Sequence, residues 1–205
     1  LEGQGVISDY TGLQSAIADW MHRADLSARI PEFIALAETR LNGDLESREL
    51  EVTSQATLSA GVSTLAVPPD LVELRRLRVL TDPVRVLVYS TPDQITAEYA
   101  YAAPGAPRTF TVLGGSFEFA PVPDSNYAVE LIYRQRITPL SAGAPTNVIL
   151  TNYPDAYLYG TLAAAHPYTQ DDERQPLFES LYSKAVDAIN SIDWWSGSSL
   201  RVRNL

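Results

Sequence analysis

The 205-residue chain contains no cysteine. That absence removes disulfides, thiolate nucleophiles and Cys-based metal sites together. It agrees with synthesis in a reducing cytoplasm. Lysine is nearly missing as well: Lys184 is the single one, so basic charge rests on arginine. A GC-rich genome explains that bias most simply, although arginine also suits planar, bidentate pairing at interfaces. Positive charge is in deficit, with 15 Lys and Arg against 25 Asp and Glu and a net charge of −10. Such a surface repels the phosphate backbone, which argues against a sequence-independent DNA-binding face. It suits the wall of a channel through which DNA slides without sticking. No run approaches 18 apolar residues, so no transmembrane helix is expected. No charged-then-apolar segment reads as a signal peptide, and the opening "LEGQG" carries no weight.

Catalytic patterns are missing too. The histidines are His22 and His166, and neither falls in a spacing such as H-E-x-x-H. Phosphate-cradling G-x-x-x-x-G-K-[ST] and G-x-G-x-x-G loops are absent, as is a G-x-S-x-G nucleophile elbow. "WSGSS" near the end reads as Gly-Ser tail, because no strand precedes it. Asp171, Asp172 and Glu173 are adjacent, and adjacent helix residues do not face one another. They suit the positive end of a helix dipole better than a metal or glycosidase site. Neither enzyme activity nor a cofactor or metal is expected.

What remains is a folding sequence, 45% hydrophobic and 20% charged. "DYTGLQSAIADWMHRADL" places Leu13, Ile17, Trp20 and Met21 on one helix face, with Asp9 or Thr11 as cap. A second helix is predicted from Pro31, with Phe33, Ile34, Ala37, Leu41 and Leu45 at helical spacing. "NGD" at 42–44 interrupts or ends it. From Glu51 the period changes to two. "EVTSQATLSAGVSTLAV" reads as paired strands with "AG" as their turn. "LRRLRVL" and "VRVLVYS" read as further strands, the first with an arginine-bearing edge or face. "TPDQITAEYAY" reads as a short helix capped by Thr91. Thr109–Leu113 and Ser116–Phe119 are joined by "GG", a two-residue hairpin signal, and a strand follows over Tyr127–Arg136.

The last third returns to helix. "TNYPDAYLYGTLAAAH" is one, capped by Thr151 or Asn152 and ended by His166 before Pro167. Tyr157, Gly160, Thr161, Ala164 and Ala165 form a narrow face that lets another helix come close. "DDERQPLFESLYSKAVDAINSID" is the other, with Leu177, Leu181, Tyr182, Ala185, Ile189 and Ile192 on one face. The fold class is therefore α+β: a helical bundle from N- and C-terminal helix pairs, with an inserted antiparallel β-module. The expected boundaries are 1–49 plus 140–193 for the bundle, 50–139 for the β-module and 194–205 for a docking tail.

Two charge features point to partners. Arg75, Arg76 and Arg78 could bind phosphate or pair with carboxylates of a neighbouring chain. The acidic balance favours the second. In the tail, Trp194, Trp195, Leu200, Arg201, Val202, Arg203 and Leu205 are types suited to an interface or to strand addition. Tyr157, Gly160 and Ala164 join the three arginines as expected subunit-interface residues.

The order of segments carries a resemblance. "DYTGLQSAIADWMHRADLSARIPEFIALAETRLNGDL" is followed by "LAVPPDLVELRRLRVL" and "YSTPDQI". Then come "APRTFTVLGGSFEFAPVPDSNYAVELIYRQRITPLS" and "TNVILTNYPDAYLYGTLAAAHPYTQDDER". Together they resemble the head-to-tail adaptor, or connector, proteins of short-tailed bacteriophages. The pairing of "PPDLVELRRL" with the late "YPDAYLYGTL" is most telling. The resemblance runs to about Ile192, with Gly43 where the family has a basic residue, and the tail beyond Trp194 matches no family pattern. It implies a structural virion protein at the head–tail junction, made in the host bacterial cytoplasm. It implies a homo-oligomeric ring of twelve copies under the portal protein. That ring extends the DNA channel and anchors tail nozzle or tail fibre proteins. DNA would pass through without specific binding, and no membrane is involved. A carbohydrate-binding or hydrolytic tail component, with tyrosines and tryptophans stacking on sugars, is the alternative. A DNA-binding module using Arg75, Arg76 and Arg78 is a third reading.

Overall fold

The structure is a computed structural model. It describes residues 7–169 and 174–194, and the side chains among them except at 24, 169 and 192–194. The fold is α+β, and the chain divides into two compact units, Leu1–Leu50 with Ile137–Leu205 and Glu51–Arg136.

In the helical unit, α1 spans Tyr10–Met21 and α2 spans Ile30–Asp44. The Asp9 carboxylate accepts from the Gly12 N–H at 2.7 Å, which satisfies one of the free donors at the start of α1. His22 closes α1 in the left-handed region, φ 50°. Pro31 sits in the first turn of α2, where its missing N–H removes no helical hydrogen bond. Asn42 and Gly43 do not break α2, which runs through to Asp44.

Two helices occupy the segment read as one from Thr151. The short α4, Val148–Asn152, is capped by Asn147, whose Oδ1 accepts from the Leu150 N–H at 2.8 Å. Thr151 and Asn152 thus lie inside α4 and cap nothing. Helix α5, Pro154–Thr169, begins at Pro154 and continues past His166 with Pro167 inside it. A proline near a helix end disturbs few hydrogen bonds, so the expected stop does not occur. Helix α5 packs against α1, α2 and α6, and buries Ala156, Tyr157, Leu158, Leu162, Ala163 and Ala165. A helix covered on several sides needs no polar face.

Helix α6, Gln175–Trp194, is amphipathic, but its buried face is rotated from the predicted one. Phe178, Tyr182, Ala185, Val186 and Ile189 are buried, while Leu177 is 55% exposed. Aromatic contacts explain the rotation: Phe178 packs against His166 at 4.8 Å and against Trp20 at 6.1 Å between ring centroids.

The β-unit contains β1 (Glu51–Leu58), β2 (Thr64–Ala66), β3 (Leu71–Val79), β4 (Arg85–Val86) and β5 (Val88–Tyr89). Helix α3 (Pro92–Tyr99) follows, then β6 (Thr109–Leu113), β7 (Ser116–Ala120) and β8 (Tyr127–Gln135). Two four-stranded sheets form, ordered β1-β8-β3-β4 and β2-β7-β6-β5. The expected β1–β2 hairpin does not exist. Gly61 does turn the chain, at φ 76°, but β1 pairs with β8 and β2 pairs with β7. "VRVLVYS" is likewise not one strand. It crosses between the sheets at buried Leu87, with β4 in one and β5 in the other. The module is not wholly antiparallel, since β5 runs parallel to β6.

Local signals elsewhere hold. Gly114 and Gly115, at φ 58° and 78°, make the β6–β7 hairpin turn, where both positions need positive φ. Thr91 and Gln94 form a reciprocal capping box on α3. The two sheets share one core of Leu58, Leu77, Val79, Val129 and Leu131 with Phe110, Phe117 and Phe119. Fully burying each such side chain contributes roughly 1.5–3 kcal/mol.

Candidate interaction surfaces

Among the described residues, no three His, Asp or Glu side chains converge as metal ligands would. His166 is buried, and its Nδ1 lies 2.7 Å from the Leu162 carbonyl oxygen. A carbonyl only accepts, so Nδ1 donates. That bond satisfies a backbone group near the helix end. Asp171, Asp172 and Glu173 lie outside the described residues.

The arginine cluster is mostly engaged within its own chain. Strand β3 lies inside its sheet, between β8 and β4. Arg78 faces Glu130 across the β3–β8 pair, and its Nε donates to Oε1 at 2.6 Å. That bond holds the Glu130 carboxyl below the usual carboxylate range. Arg75 pairs with Glu73 at 3.0 Å and Glu51 at 3.3 Å. A bulge between Leu74 and Arg76 turns Arg75 out of the regular alternation. Arg76 is exposed and forms no ion pair among the described residues. Its charge adds to that of Arg78 in holding the Glu130 carboxyl down.

The narrow face of α5 packs at Tyr157 and Gly160 against helices of its own chain. Tyr157 is fully buried. A Cβ placed on Gly160 would lie 3.0 Å from the Tyr182 ring and 3.6 Å from Ala37. The glycine therefore lets α6 and α2 of the same chain approach α5. Ala164 is half-buried. Small-residue spacing in the sequence cannot distinguish a neighbouring helix of the same chain from one of another copy.

Sequence reasoning missed the polar centre of the helical unit. Glu38 on α2 is buried, and its Oε1 accepts from the Leu140 N–H at 2.7 Å and the Tyr157 hydroxyl at 3.3 Å. The Tyr157 oxygen in turn accepts from Asn147 Nδ2 at 2.6 Å. Asn147 Nδ2 also donates to the Thr138 carbonyl at 2.8 Å. Burial pushes the Glu38 carboxyl above its ordinary range, against the opposing pull of its two donors. Burial likewise pushes the Tyr157 hydroxyl up. One signal was available: Glu38 stands at helical spacing between Ile34 and Leu41, in the middle of a core face.

A second polar cluster sits where α2 meets α6. Arg40 pairs with Glu179 and Asp44, and its guanidinium lies 4.2 Å from the Tyr182 ring centroid. The Tyr182 hydroxyl donates to Asp44 at 2.8 Å. These groups are structural ties between helices.

The β-unit carries open strand edges. Among the described residues each sheet ends in unpaired edges, β1 and β4 in one, β2 and β5 in the other. The segment from Val84 to Tyr89 exposes Val84, Val86, Val88 and Tyr89 at 52%, 57%, 63% and 57%.

Comparison with protein families settles the family. The family model described as SU10 adaptor protein matches residues 8–203. The chain belongs to that family. It is thereby a podophage head-to-tail adaptor by family, a structural class of virion protein. The match runs well beyond Ile192 and through the tail, so the expectation that the tail follows no family pattern is corrected. No curated protein matches the chain. No helix of this adaptor is long and apolar enough, among the described residues, to cross a membrane. The tail residues Trp195, Leu200, Arg201, Val202, Arg203 and Leu205 lie outside the described residues, as does the Trp194 side chain.

Proposed function

We propose that the adaptor forms a closed ring of twelve copies beneath the portal, extends the DNA channel, and anchors tail nozzle or tail fibre proteins below it. The family match over residues 8–203 carries this reading. The net charge of −10 supports it, because acidic channel walls let DNA pass without binding. In a ring, one patch meets a different patch on the next copy, and rotation closes the assembly. Arg76 is an available cation for such a contact. The tail from Trp194 to Leu205 docks on the portal, with Trp194 and Trp195 as anchors. The protein acts by holding partners and performs no catalysis, at the head–tail junction of a virion assembled in the host cytoplasm.

The test is mass measurement in solution, first of the chain alone and then with the portal protein of its phage. A ring-sized species with portal is expected. Its absence would overturn the ring. Deletion of residues 194–205 should then abolish co-sedimentation with portal, and undiminished binding would remove the tail from the account.

A further inference from the structure

The two sheets leave two kinds of open edge, and they differ in character. Strand β1 is the first strand of its sheet and, among the described residues, pairs with β8 alone. It presents an edge eight residues long, with exposed Thr53, Gln55 and Thr57. Proteins usually blunt such an edge with proline, lysine or a bulge. Strand β1 has neither residue, and its register with β8 is unbroken from Glu51 to Leu58.

At the other end of the strand order lies the Val84–Tyr89 segment. It supplies the last strand of both sheets, β4 and β5. Four of its apolar side chains are more than half exposed, while Leu87 between them is 5% exposed and anchors the segment to the core. An apolar ridge on an open edge is a feature of surfaces that become covered. Arg85 stands on this ridge, exposed and without an ion pair among the described residues.

We infer that the Val84–Tyr89 ridge of one copy docks along the open edge of β1 of the next copy, continuing the sheet from subunit to subunit. The reading rests on the oligomeric ring proposed above and names the contact that builds it. A second copy is the occupant because the two edges complement each other. One is apolar and carries the exposed Arg85; the other offers a long row of backbone groups left unpaired among the described residues and carries the polar side chains of Thr53, Gln55 and Thr57. Ridge-to-ridge pairing would crowd Arg85 of both copies into one small contact. Pairing of β1 with β1 would bury no exposed apolar side chain. Opposite ends of one strand order give a head-to-tail contact that leaves a free edge on each new copy, as ring closure requires. Backbone hydrogen bonds of strand addition supply the affinity, and the ridge valines supply the fit.

The natural lack of cysteine gives a clean background for the test. Two full-length variants, Gln55→Cys and Val86→Cys, and the double variant are treated with a short thiol-to-thiol crosslinker, with portal present. The double variant should give a ladder of covalent oligomers. A mixture of the single variants should stop at dimers, and each single variant alone should stay monomeric on a denaturing gel. Dimers from either single variant alone would overturn the head-to-tail contact. A ring of normal mass with no ladder would overturn this contact and leave the proposed ring standing. Absence of any ring would overturn both. As an independent readout, Val88→Glu should fold with the wild-type circular dichroism spectrum. It should need roughly tenfold more protein to assemble, and unchanged assembly would refute the ridge.

Discussion

Replacing Glu38 probes the polar centre of the helical unit directly. In Glu38→Ala, the buried Leu140 N–H loses its acceptor and the Tyr157 hydroxyl loses one partner. A buried donor left unpaired costs about 1–3 kcal/mol, and a hydrogen bond to a charged group contributes about 1.5–3 kcal/mol. Relief from burying a charge offsets part of this, so a net loss of about 2–4 kcal/mol is expected. For a chain of this size that is a fall in Tm on the order of 4–16 °C. In Glu38→Gln an amide oxygen still accepts from Leu140 and no charge is buried, so the loss should be about 1 kcal/mol or less.

The pH dependence separates this reasoning from a simple packing effect. Burial raises the folded-state value of Glu38 above its ordinary 4.5. The folded protein therefore holds that proton more tightly than the unfolded chain does. The stabilisation is fully present below pH 4.5 and is lost as pH rises through the higher folded value. Thermal melts from pH 7 down to pH 4 should show wild type gaining on Glu38→Gln with acidification. A gain by the glutamine variant over that range would refute the dominance of burial. A Glu38→Ala variant as stable as wild type would refute the network's structural role.

Two further substitutions test packing and charge. Gly160→Val should destabilise the helical unit by about 1–3 kcal/mol in thermal melts, because its side chain must displace the Tyr182 ring; unchanged stability would show that the α5–α6 approach is slack. Glu130→Gln should flatten the acid sensitivity of the β-unit. The Arg78 bond lowers the Glu130 value, so its contribution is present above the ordinary carboxylate range and fades as pH falls. Urea melts at pH 7 and pH 3 that respond equally in wild type and variant would exclude that contribution.

The elements most legible in the sequence are those that depend on near neighbours. Asp9 caps α1 and the Thr91–Gln94 box caps α3, because a cap is a bond between residues a turn apart. The "GG" pair dictates the β6–β7 hairpin through backbone conformation alone. The helical periods of α1, α2 and α6 likewise follow from repeated apolar spacing. Boundaries were harder. Pro167 is followed by two more helical residues before α5 ends at Thr169, and α4 starts at Val148, ahead of the expected Thr151, because Asn147 caps it.

Tertiary structure decided matters that no local pattern encodes. Whether Val52–Leu58 pairs with the next strand or with β8 depends on partners more than 60 residues away, because backbone groups in a strand are satisfied only across the sheet. The burial of Glu38 and the inward turn of Gly160 depend on which helices close over α2 and α5. The sequence by itself determined the helix–sheet–helix order, the turns, the lack of catalytic motifs and the family resemblance. Only the folded chain decided which of the expected interface residues are engaged within the chain, and which strand edges stay open among the described residues, since occupancy is a property of packing and not of spacing.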